Sequence, residues 1–170
     1  IPPTPQPTVV PPNSGALEII AVASHAQALP GETVYIELML FNPQLAGGGS
    51  VLALEANCAV QPANVLFGQN VASGIAFGAQ PITINSSFRP DGTFTYATSQ
   101  DSGVPVTTGG VLLTATLAAL EPGQAVLNCT IEAIDGARQT ISLPYTPASV
   151  SVVAAAETSE PTPIATEIPT

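Results

Sequence analysis

The side chains able to do acid–base or nucleophilic work are few and scattered. His25 is the single histidine of the 170 residues, so any Ser-His-Asp or Cys-His arrangement would have to be built on it. It stands in Ala23-Ser24-His25-Ala26-Gln27, just past the first apolar run, and reads as an exposed turn histidine. Cys58 and Cys129 lie more than 70 positions apart with no CxxC spacing and no second histidine, so a zinc site lacks ligands. The acids Glu18, Glu32, Glu37, Glu55, Asp91, Asp101, Glu121, Glu132 and Asp135 are dispersed. A glycosidase needs two carboxylates facing one cleft, and their spacing alone assembles no such pair. No Asp-x-Asp-x-Asp-Gly loop is present, which removes an EF-hand. Gly47-Gly48-Gly49-Ser50 lacks the Lys-Ser/Thr of a phosphate loop and opens a strand, so it reads as a flexible turn. No cofactor or metal is expected, and an enzyme is the least favoured class.

Composition narrows the partners. Twelve acids face two cations, Arg89 and Arg138, with no lysine, for a formal charge of −10. Phosphate backbones and anionic lipid both call for clustered Lys and Arg, so nucleic acid and the membrane surface are excluded as expected partners. The longest apolar run, Val111 to Leu120, is broken by Thr114 and Thr116 and is too short to cross a bilayer. No basic-then-apolar leader opens the sequence, so a signal peptide would have been removed or lie upstream. An even number of cysteines in a lysine-free, Thr/Pro-rich chain suits an oxidising, extracellular or cell-surface setting. The alternative is a pair of buried thiols.

The elements that position these residues are strands. Residues 1–15 and 154–170 hold half of the 18 prolines, mixed with threonine. Such tracts stay extended and act as semi-rigid linkers. Between them, residues 16–153 form the expected domain. In Thr33–Asn42, Val34, Ile36, Leu38 and Leu40 alternate with Tyr35, Glu37, Met39 and Phe41. In Ser50–Val60, Leu52, Leu54, Ala56, Cys58 and Val60 take one face, and Val51, Ala53, Glu55 and Asn57 the other. Further strands are expected at Ala16–Val22, Ile82–Phe88, Thr93–Thr98, Gly110–Leu120, Gln124–Ile134, Ile141–Leu143 and Ser149–Val153. Arg89-Pro90-Asp91-Gly92 and Glu121-Pro122-Gly123 supply turns, since proline presets φ and glycine takes positive φ. Many short strands punctuated by Gly/Pro turns predict an all-β sandwich.

Two secondary features bear on function. Asn85-Ser86-Ser87 and Asn128-Cys129-Thr130 are glycosylation sequons; Asn85 is the better candidate, Asn128 being embedded in a strand. Aromatics are sparse, with no tryptophan. Only Tyr35 and Tyr96 could offer an outward ring for sugar stacking, and either could equally be core.

Several segments resemble the cohesin modules. Leu29-Pro30-Gly31-Glu32-Thr33-Val34 is similar to the Pro-Gly-Asp-Thr-Val that opens their second strand. Leu52 to Leu66 resembles their third strand and its exit, Thr93 to Gly103 with Gly110-Val111-Leu112 resembles a strand, Asp-Ser-Gly turn and re-entry, and Ile134-Asp135-Gly136 with Ser149–Val153 resembles the last two elements. The resemblance implies a jelly-roll sandwich of about nine strands, kinship with sandwich carbohydrate-binding modules, and attachment to a dockerin-like protein. It places the outward recognition pair on Ala53 and Glu55, where dockerin binders usually carry Asn and Asp, with Ala63 as an inserted residue. It puts Gln100 in place of a common Glu, and keeps Asp101, Ser102 and Gly103. These six residues are the expected docking face, polar and acidic with little apolar area. Cys58 and Cys129 share the inward parity of their strands, and the third and eighth strands of the resembled fold are neighbours, so a Cys58–Cys129 disulfide is expected. The function expected is non-catalytic attachment of one protein to another. Self-assembly with neighbouring copies into a filament or surface layer is the alternative, and polysaccharide binding the second.

Overall fold

A computed structural model describes residues 15–79, 81–85, 87–100 and 105–154, with backbone alone at Asn85. The strands are β1 (Glu18–Ala23), β2 (Gln27–Ala28), β3 (Thr33–Phe41), β4 (Val51–Gln61), β5 (Leu66–Ser73), β6 (Pro81–Asn85), β7 (Thr93–Gln100), β8 (Gly110–Ala119), β9 (Gly123–Asp135), β10 (Thr140–Ser142), β11 (Tyr145–Thr146) and β12 (Ala148–Val152). They form two sheets. One runs β11-β1-β3-β8-β5; the other runs β2-β12-β9-β4-β7-β6, with β10 pairing on β9. The inward residues of both interlock as one core, including Ile19, Ile36, Leu38, Leu54, Phe94, Tyr96, Leu117, Leu127 and Ile131. This is the expected jelly-roll sandwich. Three segments stand beyond the nine expected: β2 and β11, where the first and last runs divide between the sheets, and β5, Leu66–Ser73, which was not among the expected strands.

Alternation creates the elements, and its local failures explain the differences from expectation. β3 buries every second residue, Val34 through Leu40. In β4 the register slips between Val51 and Ala53. The extra residue, Leu52, turns aside and Val51 points into the core at full burial, the reverse of the simple parity reading. β5 escapes the alternation altogether. Its buried positions are Leu66, Gly68 and Val71, because a shift between Gly68 and Asn70 breaks the two-residue period. Gly68 has no side chain because the Phe88 ring occupies that space. Phe88 accordingly leaves the expected strand, which ends at Asn85, and meets Phe94 edge-on at 4.6 Å between ring centres.

Turns close as their residues dictate. Gly92, at φ 82°, donates its N–H to the Arg89 carbonyl at 2.9 Å. The Asp91 carboxylate accepts from the Thr93 hydroxyl at 2.7 Å and the Thr93 N–H at 3.0 Å. Those two bonds hold the Asp91 carboxyl below its ordinary acidity range. The Gly47–Gly49 segment is pinned rather than flexible: Ala137 donates to the Gly47 carbonyl at 3.2 Å, and Gly136 to that of Ser50 at 2.9 Å. Gly48, at φ 69°, sits so close that an added Cβ would lie 2.6 Å from the Gly136 carbonyl carbon.

Candidate functional site

The outer face of the β9-β4-β7-β6 layer gathers the residues singled out on β4. Glu55 lies opposite Glu132 on β9 and Ala97 on β7, and Ala97 lies opposite Ile84 on β6. The next row holds Ile134, Ala53, Ser99 and Ile82. Strand alternation sends all of these side chains away from the core, and together they line a shallow concavity of about 330 Å³.

Three large apolar side chains stand in water there. Ile84 is 73% exposed, Ile82 52% and Ile134 42%. The expectation of little apolar area on this face is therefore corrected. The β6 pattern Pro81-Ile82-Thr83-Ile84 could have revealed it, since alternate isoleucines on a short strand need a covered face or a partner. The expected strand Ile82–Phe88 runs past the end of β6 at Asn85 and obscures this short pattern.

The polar groups are arranged around this apolar strip. Asn57 donates its amide to Glu55 Oε1 at 2.8 Å and accepts from the Thr95 hydroxyl at 2.8 Å. Glu55 and Glu132 are like charges directly across a ladder, an arrangement that costs stability unless something positive answers it. Gln100 ends β7 on the parity of the buried Thr98, not that of Ser99. Asp101, Ser102 and Gly103 lie outside the described residues, and so does the side chain of Asn85.

Other candidates resolve into structure. Tyr96 is 1% exposed, and its hydroxyl donates to the Leu112 carbonyl at 3.1 Å. Of the two possible sugar platforms only Tyr35 remains, 47% exposed on the opposite sheet. His25 is exposed, with Nδ1 2.9 Å from the neighbouring Ser24 hydroxyl, which also accepts the Tyr35 N–H. Among the described residues no three His, Cys, Asp or Glu side chains cluster to hold a metal, and no helix is long and apolar enough to cross a membrane. Cys58 and Cys129 are directly opposite in the β4–β9 ladder and form the expected disulfide, with Cα atoms 4.1 Å apart.

This is a two-sheet jelly roll whose larger sheet carries an open, apolar and acidic outer face. A non-cellulosomal cohesin from the archaeon Archaeoglobus fulgidus superposes with a TM-score of 0.63, at 17% identity over 80% of this chain and 90% of its own. A cohesin module from a Clostridium perfringens family 33 glycoside hydrolase gives 0.65, at 15% identity over 82% and 100%. The type I cohesin–dockerin complex Coh-OlpA-Doc918 from Clostridium thermocellum gives 0.66, at 12% over 81% and 99%. No protein-family model and no curated protein matches the sequence. The chain is thus a cohesin-like module in fold.

Proposed function

We propose that this chain is a non-catalytic, exported or surface-displayed attachment module that holds another protein on the face around Glu55. Residues 1–15 and 154–170 serve it as Pro/Thr-rich spacers. The observation that carries the reading is the strip of Ile82, Ile84 and Ile134 beside the Glu55–Glu132 pair. Apolar anchors supply affinity when buried, while the carboxylates orient a partner bearing Lys or Arg. The cohesin fold supports a protein partner of dockerin type, since the Clostridium thermocellum relative was solved with one.

Charge argues against self-assembly through this face. Two copies meeting there would bring four carboxylates together, and the chain's only cations are Arg89 and Arg138. Polysaccharide is disfavoured by the burial of Tyr96. The test is to capture a partner from the secreted fraction of the source organism, then compare Ile84→Asp with Tyr35→Ala. Ile84→Asp should weaken binding at least tenfold, about 1.4 kcal/mol, and Tyr35→Ala should leave it unchanged. Equal affinity of the Ile84→Asp protein would move the docking site elsewhere.

A further inference from the structure

One side of the sandwich is free of charge. The chain carries a formal charge of −10, yet no Asp, Glu, Lys or Arg stands between Glu55 and Arg89. That stretch holds β5 and β6, the end strands of the two sheets, which meet where the Ser73 hydroxyl donates to that of Thr83 at 3.2 Å. It also carries the two most exposed large apolar side chains among the described residues, Ile75 at 75% and Ile84 at 73%.

A strand edge presents unpaired N–H and C=O groups, and β proteins guard it by shortness, a bulge, charge or a covering segment. β2 and β11 have two residues each and β10 three. β5 is broken by its shift between Gly68 and Asn70. β6 has five residues, pairs with β7 without a shift, and has no strand on its other side among the described residues. Pro81 stands at its first position, so every later residue keeps its N–H. None of the usual guards protects this edge.

We infer that β6 is where a second copy of this chain adds, edge to edge and antiparallel, as a transient dimer. Centred on Thr83, the pairing sets Ile82 of each copy directly opposite Ile84 of the other. Alternation keeps these four side chains on one outer face, where cross-strand apolar pairs stabilise. A charged partner finds no complement on this edge, whereas a second copy meets a surface as neutral as its own. The two Glu55 residues lie five strand spacings apart, roughly 24 Å, well beyond the ~8 Å screening length of physiological salt. Five residues a side fall short of a standard interface, so the dimer is weak.

This stands apart from the docking reading, and its test uses no other protein. Sedimentation of the whole oxidised chain, from low micromolar to near-millimolar concentration, should show a monomer–dimer equilibrium. A monomer throughout would overturn the proposal. Ile84→Lys brings cations to the neutral edge without disturbing the core, and should weaken the dimer at least tenfold. Native-like dimerisation of that variant would overturn pairing through β6. Register has its own readout. Ile82→Cys and Ile84→Cys proteins mixed in equal amounts should oxidise mainly to the mixed dimer, because those positions lie opposite while like positions are diagonal and further apart. A statistical spread of mixed and like-with-like products would overturn the register centred on Thr83.

Discussion

The two sheets share one core but differ in what they show to solvent. The smaller sheet presents Tyr35 and Glu37 on β3, half-buried Thr114 and Thr116 on β8 and exposed Phe67 and Asn70 on β5, a mixed surface with two large rings. The larger sheet presents three isoleucines around two facing carboxylates, and its central strands are stapled by a disulfide. Inward positions are nearly interchangeable between them: leucine, isoleucine, valine and alanine at every second residue. Function therefore has to be read from the outward half of the alternation, where core packing places no demand on the residue type.

The disulfide is the largest difference between the sheets, and removing it should produce the largest effect. Replacing Cys58 and Cys129 together by alanine should cost roughly 4 kcal/mol in the chain-entropy picture, given the length of the closed loop. Chemical denaturation of oxidised and double-variant protein checks it. A difference below about 1 kcal/mol would mean that the β4–β9 ladder holds the larger sheet together by packing alone.

Tyr145 is where the two sheets are tied. It belongs to β11 of the smaller sheet, and its hydroxyl donates to the Leu127 carbonyl on β9 of the larger one at 2.6 Å. Burial pushes its phenol well above the ordinary value of 10.0. A folded pKa above the unfolded one gives stability that is complete below pH 10 and fades as pH climbs through the folded pKa. Tyr145→Phe should therefore lose about 1 kcal/mol at neutral pH with the hydrogen bond, and should show a shallower loss of stability above pH 10 than the native protein. Parallel alkaline profiles for the two proteins would remove Tyr145 as the source.

How much of this was legible beforehand divides along the same line. The sandwich, the turns at Gly92 and Gly123 and the pairing of Cys58 with Cys129 followed from alternation, turn chemistry and the resemblance to cohesins. What escaped were positions where alternation fails. The slips at Leu52 and near Gln69 moved residues between faces, and so concealed β5 and inverted Val51. Of the candidate face, Ala53 and Glu55 were found on β4, but Glu132, Ile134, Ile82 and Ile84 were not grouped with them. Those residues come from three other segments of the chain, and only the sheet order β9-β4-β7-β6 makes them neighbours. Strand order across a sandwich is a tertiary fact that a local pattern does not encode.

The smallest predicted effect separates a docking face from an inert one most cleanly, because its two readouts move in opposite directions. Glu132 and Glu55 face each other across the β9–β4 ladder with both side chains exposed. Glu55 has Asn57 as a hydrogen-bond donor, whereas neither arginine occupies a place in these two rows. Neutralising Glu132 as Glu132→Gln keeps the shape and removes the like-charge contact, so the free module should gain a few tenths of a kcal/mol. Glu55 is left unchanged, with its Asn57 bond intact. If a basic partner docks here, the same change should slow its association, most at low salt, where unscreened charges steer encounter. Had the pair been merely tolerated surface, the variant would be slightly more stable and bind equally well at every ionic strength. Denaturation midpoints and association rates at two salt concentrations, measured on the same preparation, distinguish these outcomes. Greater stability with slower association marks a pair of carboxylates kept for recognition at a cost to the fold, and unchanged association leaves the isoleucines as the face's only claim.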